Sequence, residues 1–248
     1  MSLTPPPTPL AEAAVFRPVR SGNAFEEAVE RILQAIKLGV VGHGERLPPE
    51  RELAARLGVS RMTLREAIRA LQQSGYVESR RGRFGGTFVL HRAEPSSPNP
   101  AKLRKLVTGL GDTGLDDVLV FREVLETGAA HAAATRALPA AERALLVAVH
   151  EEVRGATPQT YRALDSRFHL AIAQVTGSPA LASAVADNRM RLNELLDAIP
   201  LLDHNIEHSH VQHEQIMAAV LAGDGPAARA AMAEHLAGTA ALLRGFLT

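Results

Sequence analysis

LPPERELAARLGVSRMTLREAIRALQQSGYVESRRGRFGGTFVL, Leu47 to Leu90, decides the fold of the first part of this 248-residue chain. Pro49 stands where a helix start tolerates proline, and Leu53, Ala54 and Leu57 make a short apolar face that stops at Gly58. Ser60 is a good N-cap for a second helix, whose apolar stripe is Leu64, Ile68 and Leu71. Gly75 closes that helix. Tyr76 to Ser79 and Thr87 to Leu90 then read as two short strands joined by the basic, glycine-rich tip RRGRFGG. Upstream, Phe25, Val29, Ile32, Leu33 and Ile36 predict one amphipathic helix, Phe25 to Leu38, ended by Gly39. Two helices about a tight glycine turn, preceded by a third and followed by a hairpin, make a winged helix-turn-helix, predicted over residues 23–91. The proline-bearing residues 1–22 are expected to be a disordered tail.

Outward from that block, Arg92 to Ala101 (RAEPSSPNPA) holds three prolines and two serines and reads as a linker, residues 92–101. The remainder, 102–248, carries helical patterns and no strand signal. Predicted helices are Ala101–Leu110, Leu115–Leu138, Ala140–Val153, Pro158–Thr176, Pro179–Ile199, Asp203–Ala222 and Pro226–Leu247. The fold class is mainly α: a winged helix-turn-helix followed by an all-α antiparallel bundle.

Composition removes several functions. With no Cys, thiolate catalysis, iron–sulfur clusters and cysteine-ligated zinc are excluded, so a metal site here uses nitrogen and oxygen. No apolar run approaches the roughly 20 residues that span a bilayer, and no signal-peptide layout is present, so a cytoplasmic location with no membrane partner is expected. The formal net charge of zero conceals a split: residues 1–98 carry 14 Lys+Arg against 10 Asp+Glu, and residues 99–248 carry 13 against 17. The basic half is the one that holds the helix-turn-helix, as nucleic-acid binding requires. Eight of the ten histidines fall in the acidic half.

The second helix of a helix-turn-helix reads the major groove with residues near its N-terminus. Those are Ser60, Arg61, Met62, Thr63 and Arg65. The guanidinium fork matches guanine O6 and N7, which makes Arg61 and Arg65 the leading base readers. Arg51 is placed to meet a phosphate or a neighbouring base. In the wing, Arg80, Arg81 and Arg83 offer phosphate charge, and Gly85-Gly86 lets the backbone approach the sugar-phosphate edge. One recognition helix covers few base pairs, so a homodimer on a palindromic operator is expected.

From Phe25 to Leu90 the chain resembles the DNA-binding domain of the GntR family of bacterial transcription regulators: ERELA, GVSR and LREAIRAL stand in order, followed by the glycine-rich wing. The resemblance implies that Arg51, Arg61 and Arg65 contact the operator, supported by Ser60 and Thr63, with Gly85 directed toward the minor groove.

In the acidic half, Asp165 and His169 are i and i+4 on one predicted helix, a two-ligand clip. His213 interrupts the stripe Ile206, His213, Val220, and His235 the stripe Ala228, His235, Leu242. Buried polar groups of this kind are cheapest when they meet each other or a cation. Asp with three His suits Zn, Mn, Ni or Fe(II). His204, His208 and His210, beside Asp203, are a competing set that reads more readily as a solvated helix start, and His131 and His150 read as structural or surface. FREVLETGAAHAAA, DSRFHLAIAQVTGSP and HEQIMAAVLAGDGPAARAAMAEHL resemble the FCD effector-binding domain of the FadR subfamily, over roughly Leu115 to Leu243. In its metal-containing branch the resemblance assigns the divalent ion to Asp165, His169, His213 and His235, and Arg122 to an effector carboxylate. Asn188, Arg189 and Arg191 lie on the helix that would roof the same cavity. The expectation is a regulator, repressor in sign, whose DNA binding answers to a small organic acid. A metal that only staples the bundle, or a non-haem metalloenzyme fused to a DNA-binding domain, are the alternatives.

Overall fold

The computed structural model describes residues 15–16, 24–82, 85–91, 99–110 and 114–247. The chain divides into two compact units, Met1–Ala93 and Glu94–Thr248. Most of the expected tail, the expected linker up to residue 98, and Arg83 lie outside the described residues. Val15 and Phe16, inside the stretch read as tail, are described and buried.

The first unit contains α1 (Ala24–Lys37), α2 (Glu50–Leu57), α3 (Arg61–Gln73), β1 (Val77–Arg80) and β2 (Gly86–Val89). Gly58 ends α2 at φ 66° and passes its N–H back to Ala54 and Ala55. That left-handed residue reverses the chain within two positions and is why α3 starts so soon. Ser60 caps α3, its Oγ accepting from the Thr63 N–H at 3.0 Å. Leu53, Leu57, Leu64, Ile68 and Leu71 are buried as their spacing predicts. β1 pairs antiparallel with β2 in the register Val77↔Val89 to Arg80↔Gly86. Both strands sit one residue from their predicted bounds, because Tyr76 leaves the ladder and its carbonyl accepts from both Leu90 and His91. Arg46 adds a bridge to Phe88, a third edge to the wing.

The second unit contains α4 (Pro100–Gly109), α5 (Gly114–Thr135), α6 (Ala140–Arg154), α7 (Tyr161–Gln174), α8 (Pro179–Leu196), α9 (Asp203–Ala222) and α10 (Gly225–Gly245). All seven predicted helices are present, with no strand among the described residues of this unit. Asn99 Oδ1 accepts from the Lys102 N–H at 2.9 Å, so α4 starts inside the expected linker. α7 begins three residues late because Thr157 and Thr160 close a turn of their own. α5 packs against α10, and Ala129, Ala130 and Ala133 of the one and Ala228 and Met232 of the other are all buried. Small side chains let those axes approach closely. α7 is the centre of the bundle: every residue from Asp165 to Ala173 is buried. Its polar members are therefore largely shielded from water, Asp165 alone among them bordering a cleft.

Candidate nucleic-acid interface and metal centre

On the first unit, Ser60, Arg61, Met62 and Arg65 are exposed at the start of α3, Arg51 is exposed at the start of α2, and Arg81 is exposed at the wing. Met62 is 73% exposed. Thr63 is half-buried, its hydroxyl 2.8 Å from that of Ser60. Arg65 Nε donates to Glu50 Oε2 at 2.8 Å, so its fork is oriented before any DNA arrives. In the wing, Arg80 lies 4.5 Å over the Phe88 ring and bonds Glu78, which leaves Arg81 as the freer cation. A Cβ on Gly85 would collide with the carbonyl oxygens of Arg80 and Gly82. Glycine is thus required there by the tip itself.

In the second unit, three helices bring the four predicted ligands together. Asp165 and His169 come from α7, His213 from α9 and His235 from α10, and among the described residues they are the group whose ligand atoms lie within 4.8 Å of one another. His169 Nε2 is 3.2 Å from His235 Nε2, and His213 Nε2 is 3.3 Å from the same atom. Asp165 Oδ1 is 3.4 Å from His213 Nε2 and 3.8 Å from His169 Nε2. Donors about 2.1 Å from one ion in tetrahedral array stand roughly 3.4 Å apart, so these separations are those of a first coordination shell.

The outer nitrogens sharpen the reading. His169 Nδ1 bonds a carboxylate oxygen of Glu126, and His235 Nδ1 lies 3.1 Å from Gln212 Oε1. Both partners accept, so Nδ1 of each ring carries the hydrogen and Nε2 of each carries a lone pair. Two lone pairs and a carboxylate oxygen face one another where little water reaches, a repulsion that a bound cation would relieve. Burial pushes the His169 imidazole down to about 4, against the pull of Glu126. Burial, with the neighbouring His213 and His169 rings, also holds His235 well below the ordinary histidine range. Both rings are therefore ready ligands at neutral pH. Burial would raise Asp165, but the Arg189 guanidinium together with the neighbouring His169 and His213 outweighs it and keeps the carboxyl well below the usual carboxylate range.

Of the expected effector residues, Arg122 and Arg189 stand against the carboxylates of this cluster, and Asn188 is turned to the backbone of α5. Arg122 Nε donates to Glu126 Oε1 at 3.0 Å, Arg189 Nη2 bonds Asp165 Oδ2, and Asn188 Nδ2 donates to the Val118 carbonyl at 3.1 Å. All three are buried. Two guanidinium groups against Glu126 and Asp165 balance the charge of these side chains while the imidazoles are neutral. A divalent ion would leave two positive charges in low dielectric, which favours an anionic ligand.

A cleft of about 730 Å³, its open mouth included, reaches Asp165 and His235 from the side of Tyr161, Asn193, Ser209 and Thr239. Arg122, Asn188 and Arg189 are not among its lining residues. His208 is at the cleft, His204 is exposed, and His210 packs edge-on against Tyr161 with ring centroids 5.8 Å apart. They form no ligand cluster among the described residues. The sequence offers Glu126 only as an intrahelical partner for Arg122, which is the pair the structure shows; it does not single out Gln212 or Asn193, and the one weak signal for Gln212 is adjacency to His213.

Comparison with known proteins gives the same two parts. Residues 24–89 match the profile for bacterial regulatory proteins of the gntR family, and residues 117–238 match the FCD domain. An HTH-type transcriptional regulator named RmpR, from Mycobacterium gastri, is 38% identical over 72% of this chain, which spans 64% of that protein's length. A protein named as an L-lactate dehydrogenase operon regulator, from Escherichia coli (strain K12), is 32% identical over 85% of this chain and 83% of its own. The solved structure of E. coli McbR/YncC is similar in fold at a TM-score of 0.51, with 20% identity over 90% of this chain and 97% of that one. No helix is long and apolar enough to cross a membrane among the described residues.

Proposed function

The chain belongs to the GntR family of bacterial DNA-binding transcription regulators and carries an FCD domain, and from that premise we propose that it is a repressor whose hold on its operator answers to a small carboxylate sensed at a metal-dependent site. The observation that carries the reading is the convergence of the His169 and His235 lone pairs with Asp165. Asp165, His169, His213 and His235 hold a divalent ion, of the Zn, Mn, Ni or Fe class by their donor atoms. The ion supplies positive charge and open positions for an oxygen anion. Glu126 and Gln212 fix the ring orientations, and Arg122 and Arg189 balance the two buried carboxylates. Arg122 and Arg189 influence the ligand through their charge beside these carboxylates, and Asn188 through its hold on the α5 backbone at Val118.

The effector enters by the cleft, whose walls include Asp165 and His235. At the operator, Arg61 and Arg65 read bases, Arg51 meets the backbone or a flanking base, Ser60 and Thr63 support the helix start, and Arg81, Arg83 and Gly85 address the groove edge. Two copies on a palindrome, in the cytoplasm, complete the reading.

The test is metal content together with operator release. Wild-type protein should retain about one divalent ion per chain, and an acid that releases fluorescent operator DNA should do so only from metal-loaded protein. His213→Ala should keep operator binding and lose the response. Equal release from His213→Ala would sink the proposal. A purely structural ion has one observation in its favour, the burial of all four ligands; chelation that lowers Tm without altering release by any acid would support that reading instead.

A further inference from the structure

We infer that Met62 reads thymine in the operator, packing its side chain against the C5-methyl group that thymine presents in the major groove; the inference rests on the reading of α3 as the base-reading helix. Among the described residues of the first unit, Met62 is the most exposed large apolar side chain, at 73% against 37% for Phe25 and 40% for Leu90. The buried stripe of α3 is Leu64, Ala67, Ile68 and Leu71. At about 3.6 residues per turn, Met62 stands opposite the middle of that stripe, on the first turn of the helix. The exposed side chains of Arg61, Arg65, Glu66 and Arg69 share its side of α3. The two hydroxyls at this end are turned to each other, Ser60 Oγ lying 2.8 Å from Thr63 Oγ1 and accepting from the Thr63 N–H. Arg61 and Met62 are left to enter the groove from the first turn.

The base edges of the major groove are mostly hydrogen-bonding surface: guanine shows N7 and O6, adenine N7 and N6–H, cytosine N4–H, and thymine adds a methyl group to its O4 acceptor. A thioether side chain donates no hydrogen bond and accepts only weakly. Against guanine, adenine or cytosine it would strip water from groups that it cannot bond, at a cost. Against thymine it covers a methyl group instead, and its unbranched chain adapts to the shape it meets. Arg61, the next residue, addresses guanine. Consecutive Cα atoms stand about 3.8 Å apart and base pairs about 3.4 Å apart, so the expected half-site has thymine within about two base pairs of the guanine that Arg61 bonds.

The experiment is an anisotropy titration of the full chain on the duplex that it enriches from a random pool, with each thymine in turn replaced by deoxyuridine, which lacks only the methyl group. One such replacement should weaken wild-type binding about threefold to fivefold. That penalty should fall below about 1.5-fold in Met62→Ala and persist in Met62→Leu, which keeps an apolar side chain, with far-UV circular dichroism unchanged in both. With cytosine at the same position, wild type should bind the 5-methyl form more tightly than the plain form, and Met62→Ala should bind the two alike. Uracil tolerated at every position, or a penalty of equal size in Met62→Ala, overturns the inference. Arg61→Ala then decides the wider reading. Its loss of preference for the enriched duplex over random DNA keeps α3 as the base-reading helix, whereas full preference in both Arg61→Ala and Met62→Ala overturns that reading as well.

Discussion

The backbone N–H of Asn99 donates to the carbonyl of Ala198 at 3.0 Å, fastening the residue that caps α4 to the turn that ends α8. Leu103 of α4 is buried in the same cluster as Leu195, Ala198 and Ile199. The α8 helix also carries Asn193 of the cleft and Arg189 of the metal cluster, and the Ile199 carbonyl holds Arg162 of the cleft wall. The first helix of the second unit is thus docked on an element that lines the cleft. Leu103→Ala is expected to cost about 2–4 kcal/mol of local docking. Hydrogen exchange across Pro100–Gly109 should accelerate by at least tenfold while metal affinity stays within about twofold. Unchanged protection of α4 would show that its docking does not depend on this side chain.

Glu126→Gln tests the outer hydrogen bond to His169. The amide can present its NH₂ to Nδ1 and invert the ring's tautomer, turning a hydrogen toward the ion. Metal affinity should drop about 10–100-fold in a chelator competition, with far-UV circular dichroism unchanged. Wild-type affinity in the variant would remove Glu126 from the site.

Acid should destabilise the chelated protein. The unfolded His169 takes a proton near its ordinary pKa of about 6.5, whereas the folded ring resists until about 4. Between those values the unfolded state binds more protons, so stability falls as pH falls, by about 1.4 kcal/mol per pH unit for one such group. His235 is displaced in the same direction and adds to the slope. Urea midpoints across this range should slope in wild type and flatten by about one proton in His169→Gln. An identical slope would show that His169 titrates normally in the folded chain.

On DNA, Arg61→Ala should cost about 1–3 kcal/mol and relax preference at one operator position. Arg81→Ala should weaken all sequences alike and reduce the slope of log K against log salt by about 0.9. Anisotropy titrations at several salt concentrations, on selected and random duplexes, separate the two. Loss of sequence preference in Arg81→Ala would reverse the assigned roles.

The winged helix was legible because each boundary has a chemical cause inside the sequence: Gly58 at positive φ, the Ser60 cap, the apolar stripe of α3. Helix bounds in the bundle slipped where a local turn, such as Thr157–Thr160, competed with helical pattern. Asp165 and His169 could be paired by spacing, and His213 and His235 stood out as polar breaks in apolar stripes. What spacing could not express is how groups on different helices face each other. The facing lone pairs of His169 and His235, the turning of Arg189 onto Asp165 and the idle Asn193 oxygen exist only once α7, α8 and α10 are packed. On a linear chain Gln212 and Asn193 look like any surface amide.

The nine-residue buried run of α7 has an evolutionary reading. A helix enclosed on every side behaves as a stator: changes along it disturb several neighbours at once, so Asp165 and His169 are costly to alter. Most of the cleft's remaining lining belongs to α8, α9 and α10, whose outer turns have solvent beside them and room to vary. Substitutions on those outer turns can therefore reshape the cleft while Asp165 and His169 stay where they are.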